Sequence, residues 1–174
     1  MSITVVCLFQ YDIIGLTISD IFNEFDKGFK KSGEPIHSGN WKAFDHLFIP
    51  IESETGYKNE LKKQGELFLN TPYYYSITVY NNFCAVTSLI NYRKFKNDKD
   101  TFNSIIKTTK TVANTLGAKE MIYTGDYYCD QLNNLSRNKL YYIEIINYFK
   151  NKLGEPATSF DSFKRDDKEW LHLI

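Results

Sequence analysis

Residues 73–91 read YYYSITVYNNFCAVTSLIN, and this stretch decides the fold class of the chain. Residues 73–80 and 83–91 are both rich in β-branched and aromatic side chains, and Asn81 and Asn82 separate them. Asparagine tolerates a positive φ, so the pair can form a tight turn between two antiparallel strands. The stretch therefore predicts a β-hairpin.

Strands and helices alternate on both sides of this hairpin. The apolar, β-branched run 3–9 predicts a strand that is buried on both faces, and residues 119–124 predict another strand. Apolar residues at three- and four-residue spacing predict three helices, with a capping residue at each start and a glycine at each end. These helices begin near Thr17, at Asp98 or Asp100, and near Ser136, and they end at Gly33, Gly117 and Gly154.

Two further stretches are less regular. Residues 41–51 alternate enough to predict a strand. Residues 53–69 contain charged pairs at helical spacing, such as Glu54 and Lys58, but two glycines in the same stretch disfavour a helix. A helix over 53–69 is therefore one of two open alternatives.

The order of these elements predicts an α+β fold with a mostly antiparallel sheet packed by helices. A ferredoxin-like βαββαβ arrangement, elaborated by extra elements, would fit this order. The chain contains no repeat and no linker, so residues 1–174 are expected to form one domain. The tail, about 157–174, contains Phe160, Phe163 and Trp170 and is expected to dock on the body of the domain.

Composition places the chain among folded cytoplasmic proteins. With 43% hydrophobic and 24% charged residues, it is far from the disordered range. No segment has the length and apolarity of a membrane span, and the N-terminus is a poor signal peptide. The charge is balanced, and no segment is basic enough to indicate nucleic-acid binding. Neither a membrane nor a nucleic acid is therefore expected as a partner.

Motifs for common enzymes are absent from the sequence. There is no GxxxxGK[ST], GxGxxG or GxSxG, and His37, His46 and His172 are widely separated. No cofactor, metal ion or catalytic residue is expected, which favours a non-catalytic protein. The alternative is a small enzyme or ligand-binding protein with a polar pocket near Asp126 and Asp130. In that alternative Glu120 and Cys129 line the same pocket, although aspartates in such positions commonly cap turns.

Clustered tyrosines and acidic residues favour a protein-binding domain. Tyrosine is a frequent anchor in protein interfaces, and carboxylates attract basic partners. The most specific hypothesis is a bacterial immunity protein that neutralises a cognate toxin by occluding its surface. A monomer and a homodimer are both open. The expected partner-binding residues are Asp20, Glu24, Asp26, Asp45, Tyr73, Tyr75, Asp126, Tyr127 and Tyr128.

Overall fold

A computed structural model describes residues 4–10, 23–24, 27–28, 31, 65–69, 75–79, 83–126 and 142–174. Its strands are β1 (Thr4–Gln10), β2 (Gly65–Leu69), β3 (Tyr75–Val79), β4 (Phe83–Asn91), β5 (Met121–Gly125) and β6 (Leu171–Leu173). Its helices are α1 (Tyr92–Asn97), α2 (Lys99–Thr115), α3 (Tyr142–Leu153) and α4 (Phe160–Arg165). The predicted strand at 41–51 and the predicted Asn81–Asn82 turn lie outside the described residues.

The strands form one sheet in the order β2-β3-β4-β1-β5-β6, and all neighbouring strands are antiparallel. Helix α2 connects β4 to β5, which lie on either side of β1. Residues 23, 24, 27, 28 and 31, between β1 and β3, are helical. The four strands β3-β4-β1-β5 thus have the order of a ferredoxin-like βαββαβ unit, with β2 and β6 added at the two edges. The predicted α+β class and antiparallel sheet are confirmed.

Strand β1 lies in the middle of the sheet and is buried on both faces, as its continuous apolar run predicts. Val5, Cys7 and Phe9 face a core that contains residues of α1, α2 and α4. Val6 and Leu8 face a second core, which is closed by α3 and Trp170. The alternation of side chains along one strand therefore divides the interior into two layers.

A bulge at the end of β4 directs the chain into α1. Thr4 pairs with Asn91, whereas the next residue of β1, Val5, pairs with Ser88, so the partner strand has extra residues at this point. Asn91 then caps α1, because its side-chain oxygen accepts hydrogen bonds from the backbone N–H groups of Arg93 (2.9 Å) and Lys94 (3.4 Å). The first residues after the sheet are thereby held against its edge.

Asp98 serves both the end of α1 and the start of α2. Its backbone N–H donates to the carbonyl of Lys94, and its carboxylate accepts from the Asp100 N–H and from the Thr101 hydroxyl (2.7 Å). The Thr101 hydrogen bond is the main reason that the pKa of Asp98 is lowered. This arrangement confirms the predicted start of the helix at Asp98. Helix α2 ends as predicted, since Gly117 follows it with φ of 72°.

The C-terminal segment is part of the sheet. Strand β6 pairs with β5, and Ala157 bridges to the other side of β6 through hydrogen bonds with Trp170 and His172. The indole N–H of Trp170 donates to the carbonyl of Gly154 (2.8 Å), and its ring stacks on Phe149 of α3 at 5.5 Å. Trp170 is fully buried, so this segment completes the second core.

Strand β2 and the short helices α1 and α4 differ from expectation. Gly65–Leu69 is the edge strand β2, paired with β3, and so this end of the ambiguous 53–69 stretch is not helical. Pairing with β3 is a long-range interaction that the local Glu–Lys spacing does not report. The short helices α1 and α4 are additional, and each has too few residues to show a helical period. No helix in the described ranges has the length and apolarity to cross a membrane.

Candidate functional site

A groove open to solvent lies between α1 and the segment that follows α4. Its volume is about 640 Å³. We call it the charged groove, because all but one of the residues that line it carry a charge or an amide. The lining residues are Asn91, Tyr92, Arg93, Lys96, Asn97, Lys164, Asp167 and Glu169.

Aromatic rings support the charged groove from below. The Tyr92 and Phe163 rings pack edge to face with their centroids 6.0 Å apart, and the Phe163 and Phe95 rings pack in the same way with centroids 5.8 Å apart. Phe95 and Phe163 are fully buried in the core beneath α1 and α4. Rings packed in this way leave little freedom to the two walls, so the polar side chains above them project from a rigid base.

Two hydrogen bonds cross from one wall of the groove to the other. The Tyr92 hydroxyl donates to the backbone carbonyl of Glu169 at 2.6 Å. The Lys96 ammonium donates to Oδ1 of Asp167, also at 2.6 Å. These bonds fix the segment after α4 against α1 although the two are about seventy residues apart in sequence.

Lys96 is the most buried charged residue of the site. Its side chain is 11% exposed and its ammonium lies 5.5 Å from the centroid of the Phe163 ring, at a distance typical of a cation–π contact. Its partner Asp167 has an 89% exposed side chain. The hydrogen bond from Lys96 and the positive charge of Lys96 lower the pKa of Asp167, so this carboxyl is ionised near neutral pH.

Two other cations stand on the walls of the groove. Arg93 projects from α1 and Lys164 from α4, and both side chains are exposed. Within the described part of the chain, neither side chain has a hydrogen-bond or ion-pair partner. Three cations and two carboxylates therefore meet in one open site. Two of those cations are available for an external acceptor.

A second polar pair lies at the β6 edge of the sheet, on the α3 face. Nε2 of His172 in β6 lies 2.8 Å from Oε2 of Glu120, just before β5. The His172 ring is parallel to the buried Trp170 ring, with centroids 6.3 Å apart. Burial and, to a smaller degree, the charge of Glu120 raise the pKa of Tyr142 well above its ordinary value. The His172–Glu120 pair fastens β6 to the start of β5.

The expected partner-binding residues fall into two groups. Tyr75 is fully buried in the core under α1 and α2, so the prediction that it anchors a partner is wrong. The alternation of β3 turns this ring inward because Ile77 faces the same core. Glu24 is partly exposed and forms an ion pair with Lys27 at 2.7 Å. Asp126 is also described and accepts a hydrogen bond from Thr4. The other six, Asp20, Asp26, Asp45, Tyr73, Tyr127 and Tyr128, lie outside the described residues.

The two described carboxylates of the alternative polar pocket, Glu120 and Asp126, do not form one site. Asp126 follows β5, where it accepts a hydrogen bond from the Thr4 hydroxyl at 2.9 Å and ties the end of β5 to the start of β1. Glu120 precedes the same strand. An extended strand rises about 3.3 Å per residue, which puts their backbones roughly 20 Å apart. Asp130 and Cys129 lie outside the described residues.

The described cysteines have the chemistry of core residues. Cys7 and Cys84 are completely buried, and burial raises the pKa of the Cys7 thiol to about 12 and that of Cys84 well above its usual range. A thiol with such a pKa carries almost no thiolate at neutral pH and is a poor nucleophile. Among the residues that the structure describes, no three His, Cys, Asp or Glu side chains are grouped to hold a metal ion.

The charged groove was not identified from the sequence. Arg93 and Lys96 contribute to a basic stretch of the chain, but the acidic partner Asp167 is about seventy positions away. Only the pairing of β6 and the packing of Phe163 bring the two together. A local signal does exist at Asn91, which caps α1 immediately after a strong strand pattern.

Comparison with known proteins adds a distant likeness of fold. No family model and no curated protein matches the chain. The chain is similar in structure to the adenosylmethionine decarboxylase from Aquifex aeolicus VF5, with a TM-score of 0.41 and 9% sequence identity. The likeness covers 72% of this chain and 88% of that chain. A likeness at this level carries no conclusion about activity, so function has to be inferred from the residues of this chain.

Proposed function

We propose that this chain is a protein-binding domain and that the charged groove is part of its binding surface. The observation that carries the proposal is the exposed, rigidly supported set of charges on the two walls of the groove. Small-molecule sites are mostly apolar with a few polar groups, whereas this groove is lined almost entirely by charged and amide side chains. Arginine, present here as the exposed Arg93, is one of the residue types that most often dominate protein interfaces.

In its specific form, the proposal is a bacterial immunity protein that acts in the cytoplasm. Such an inhibitor forms a one-to-one complex with its cognate toxin and covers the surface that the toxin uses. The acidic residues of the first third of the chain would accelerate association with a basic toxin surface. Those residues are Asp20, Glu24, Asp26 and Asp45.

Two variants of equal charge test the role of the groove. Arg93→Gln/Lys164→Gln removes the two exposed cations of the groove, and Lys107→Gln/Lys110→Gln removes two cations of α2 that do not line it. The tagged chain is used to isolate proteins from cells of its source, and any protein that is retained is then produced recombinantly. We expect a one-to-one complex in size-exclusion chromatography with light scattering, weakened by the groove variant and not by the α2 variant.

The inhibitor function requires a second readout. The retained protein, expressed alone, should arrest growth, and co-expression of the wild-type chain should restore it. A stoichiometric partner that is harmless when expressed alone would contradict the immunity function. A complex that loses equal affinity in both charge variants would contradict the role of the groove.

A further inference from the structure

The ammonium of Lys96 has capacity for another acceptor. It carries three N–H donors, and within the described ranges Asp167 is its hydrogen-bond acceptor, through one oxygen. The side chain as a whole is 11% exposed, and the residue lines the open groove. An ammonium with donors that no described residue accepts can bind a second anion through charge-assisted hydrogen bonds.

Asp167 holds its position at a conformational cost. It follows the last residues of α4 and has φ of 45°, a left-handed conformation for which glycine is the favoured residue. Its side chain is almost fully exposed, and its one hydrogen bond to a described residue is the bond from Lys96. Asp167 is therefore an exposed anion that meets a deeply placed cation through one oxygen, and an incoming carboxylate can take its place.

The walls of the groove add two further cations to this site. Arg93 and Lys164 line the groove together with Lys96, and a guanidinium binds a carboxylate through two parallel hydrogen bonds. A ligand with several carboxylates could thus use more than one cation. The carboxylates of Asp167 and Glu169 lie in the same groove and would repel the evenly spaced phosphates of a nucleic acid. A peptide can place its acidic side chains to avoid them.

We infer that the charged groove binds an acidic peptide segment of the partner protein, and that one carboxylate of this segment replaces Asp167 on Lys96. This inference rests on the proposed protein-binding function. Asp167 then acts as a resident competitor, which keeps Lys96 paired until the partner arrives. Together with the acidic first third of the chain, the groove would fit a partner that has both a basic surface and an acidic segment.

A fluorescein-labelled oligoglutamate peptide tests the inference without the natural partner. Its affinity is measured by fluorescence anisotropy at low ionic strength. We expect Asp167→Asn to bind the peptide several-fold more tightly than the wild type, because the competitor is removed. Lys96→Met should bind about tenfold more weakly, the effect of losing one charged hydrogen bond. Lys110→Met removes the same charge from α2 and should stay within about twofold of the wild type.

Circular dichroism checks that each variant is folded. A second variant keeps the test informative if Lys96→Met does not fold. Arg93→Gln/Lys164→Gln changes only exposed side chains and should also bind several-fold more weakly. Equal losses in Lys96→Met and Lys110→Met would overturn the inference, as would unchanged affinity in Asp167→Asn. Tighter, Lys96-dependent binding of an oligonucleotide of equal charge would overturn the assignment to a peptide. If the natural partner binds Lys96→Met as well as the wild type, this inference fails and the protein-binding function stands.

Discussion

Trp170→Ala should strongly destabilise the protein, because this side chain joins the C-terminal segment to the second core. The indole is fully buried, stacks on Phe149 at 5.5 Å and donates to the carbonyl of Gly154. Truncation of a buried tryptophan to alanine costs about 3 to 5 kcal/mol. Trp170→Phe keeps a ring against Phe149 and loses the hydrogen bond, which should cost about 1 to 2 kcal/mol.

Urea unfolding followed by circular dichroism measures both effects. With an m value of about 2 kcal/mol per molar urea, Trp170→Ala should lower the midpoint by roughly 1.5 to 2.5 M. The control is Ile174→Ala, since Ile174 lies in the same segment and is 97% exposed. That substitution should change stability by less than about 0.5 kcal/mol. A Trp170→Ala effect within about 1 kcal/mol of this control would refute the packing described for the segment.

Three further outcomes are expected. Gly28→Ala should lower the free energy of unfolding in urea by roughly 1 to 3 kcal/mol, because the new Cβ would clash with the Thr115 hydroxyl. Adding Thr115→Ala should recover part of that loss. Equal losses with and without Thr115→Ala would contradict the contact. The lysine partner lowers the folded-state pKa of Asp167 below its unfolded value near 3.9. The stability difference between the wild type and Asp167→Asn should therefore be complete above a pH of about 3.9 and disappear as the pH falls through the folded-state pKa. A stability difference that is independent of pH would contradict the ion pair. In a Cys129→Ser background, a thiol reagent at pH 8 should react with Cys7, whose pKa is raised to about 12, only after unfolding; fast labelling of the native protein would contradict its burial.

The local signals of the sequence were sufficient for most of the described sheet. Strand β4 has the predicted bounds, and β1 is buried on both faces because its residues are apolar at successive positions. The helix ends at Gly117 and Gly154 follow from the need for positive φ. These features depend on neighbouring residues alone, and the sequence contains that information.

The site depends on contacts between distant parts of the chain, and so it was not predicted. Tyr75 was expected at the surface because tyrosine clusters are common in interfaces, but the register of β3 against β4 turns it into the core. Lys96 meets Asp167 only after β6 has paired with β5. Neither the register nor this pairing can be read from local periodicity.

The most direct test of a partner-binding groove is isothermal titration of the natural partner with the wild type and with Arg93→Gln/Lys164→Gln. We predict a stoichiometry near one, with an affinity about tenfold lower for the groove variant. The matched Lys107→Gln/Lys110→Gln variant should bind like the wild type. Equal affinities of the groove variant and the wild type would contradict the claim that this groove contacts the partner.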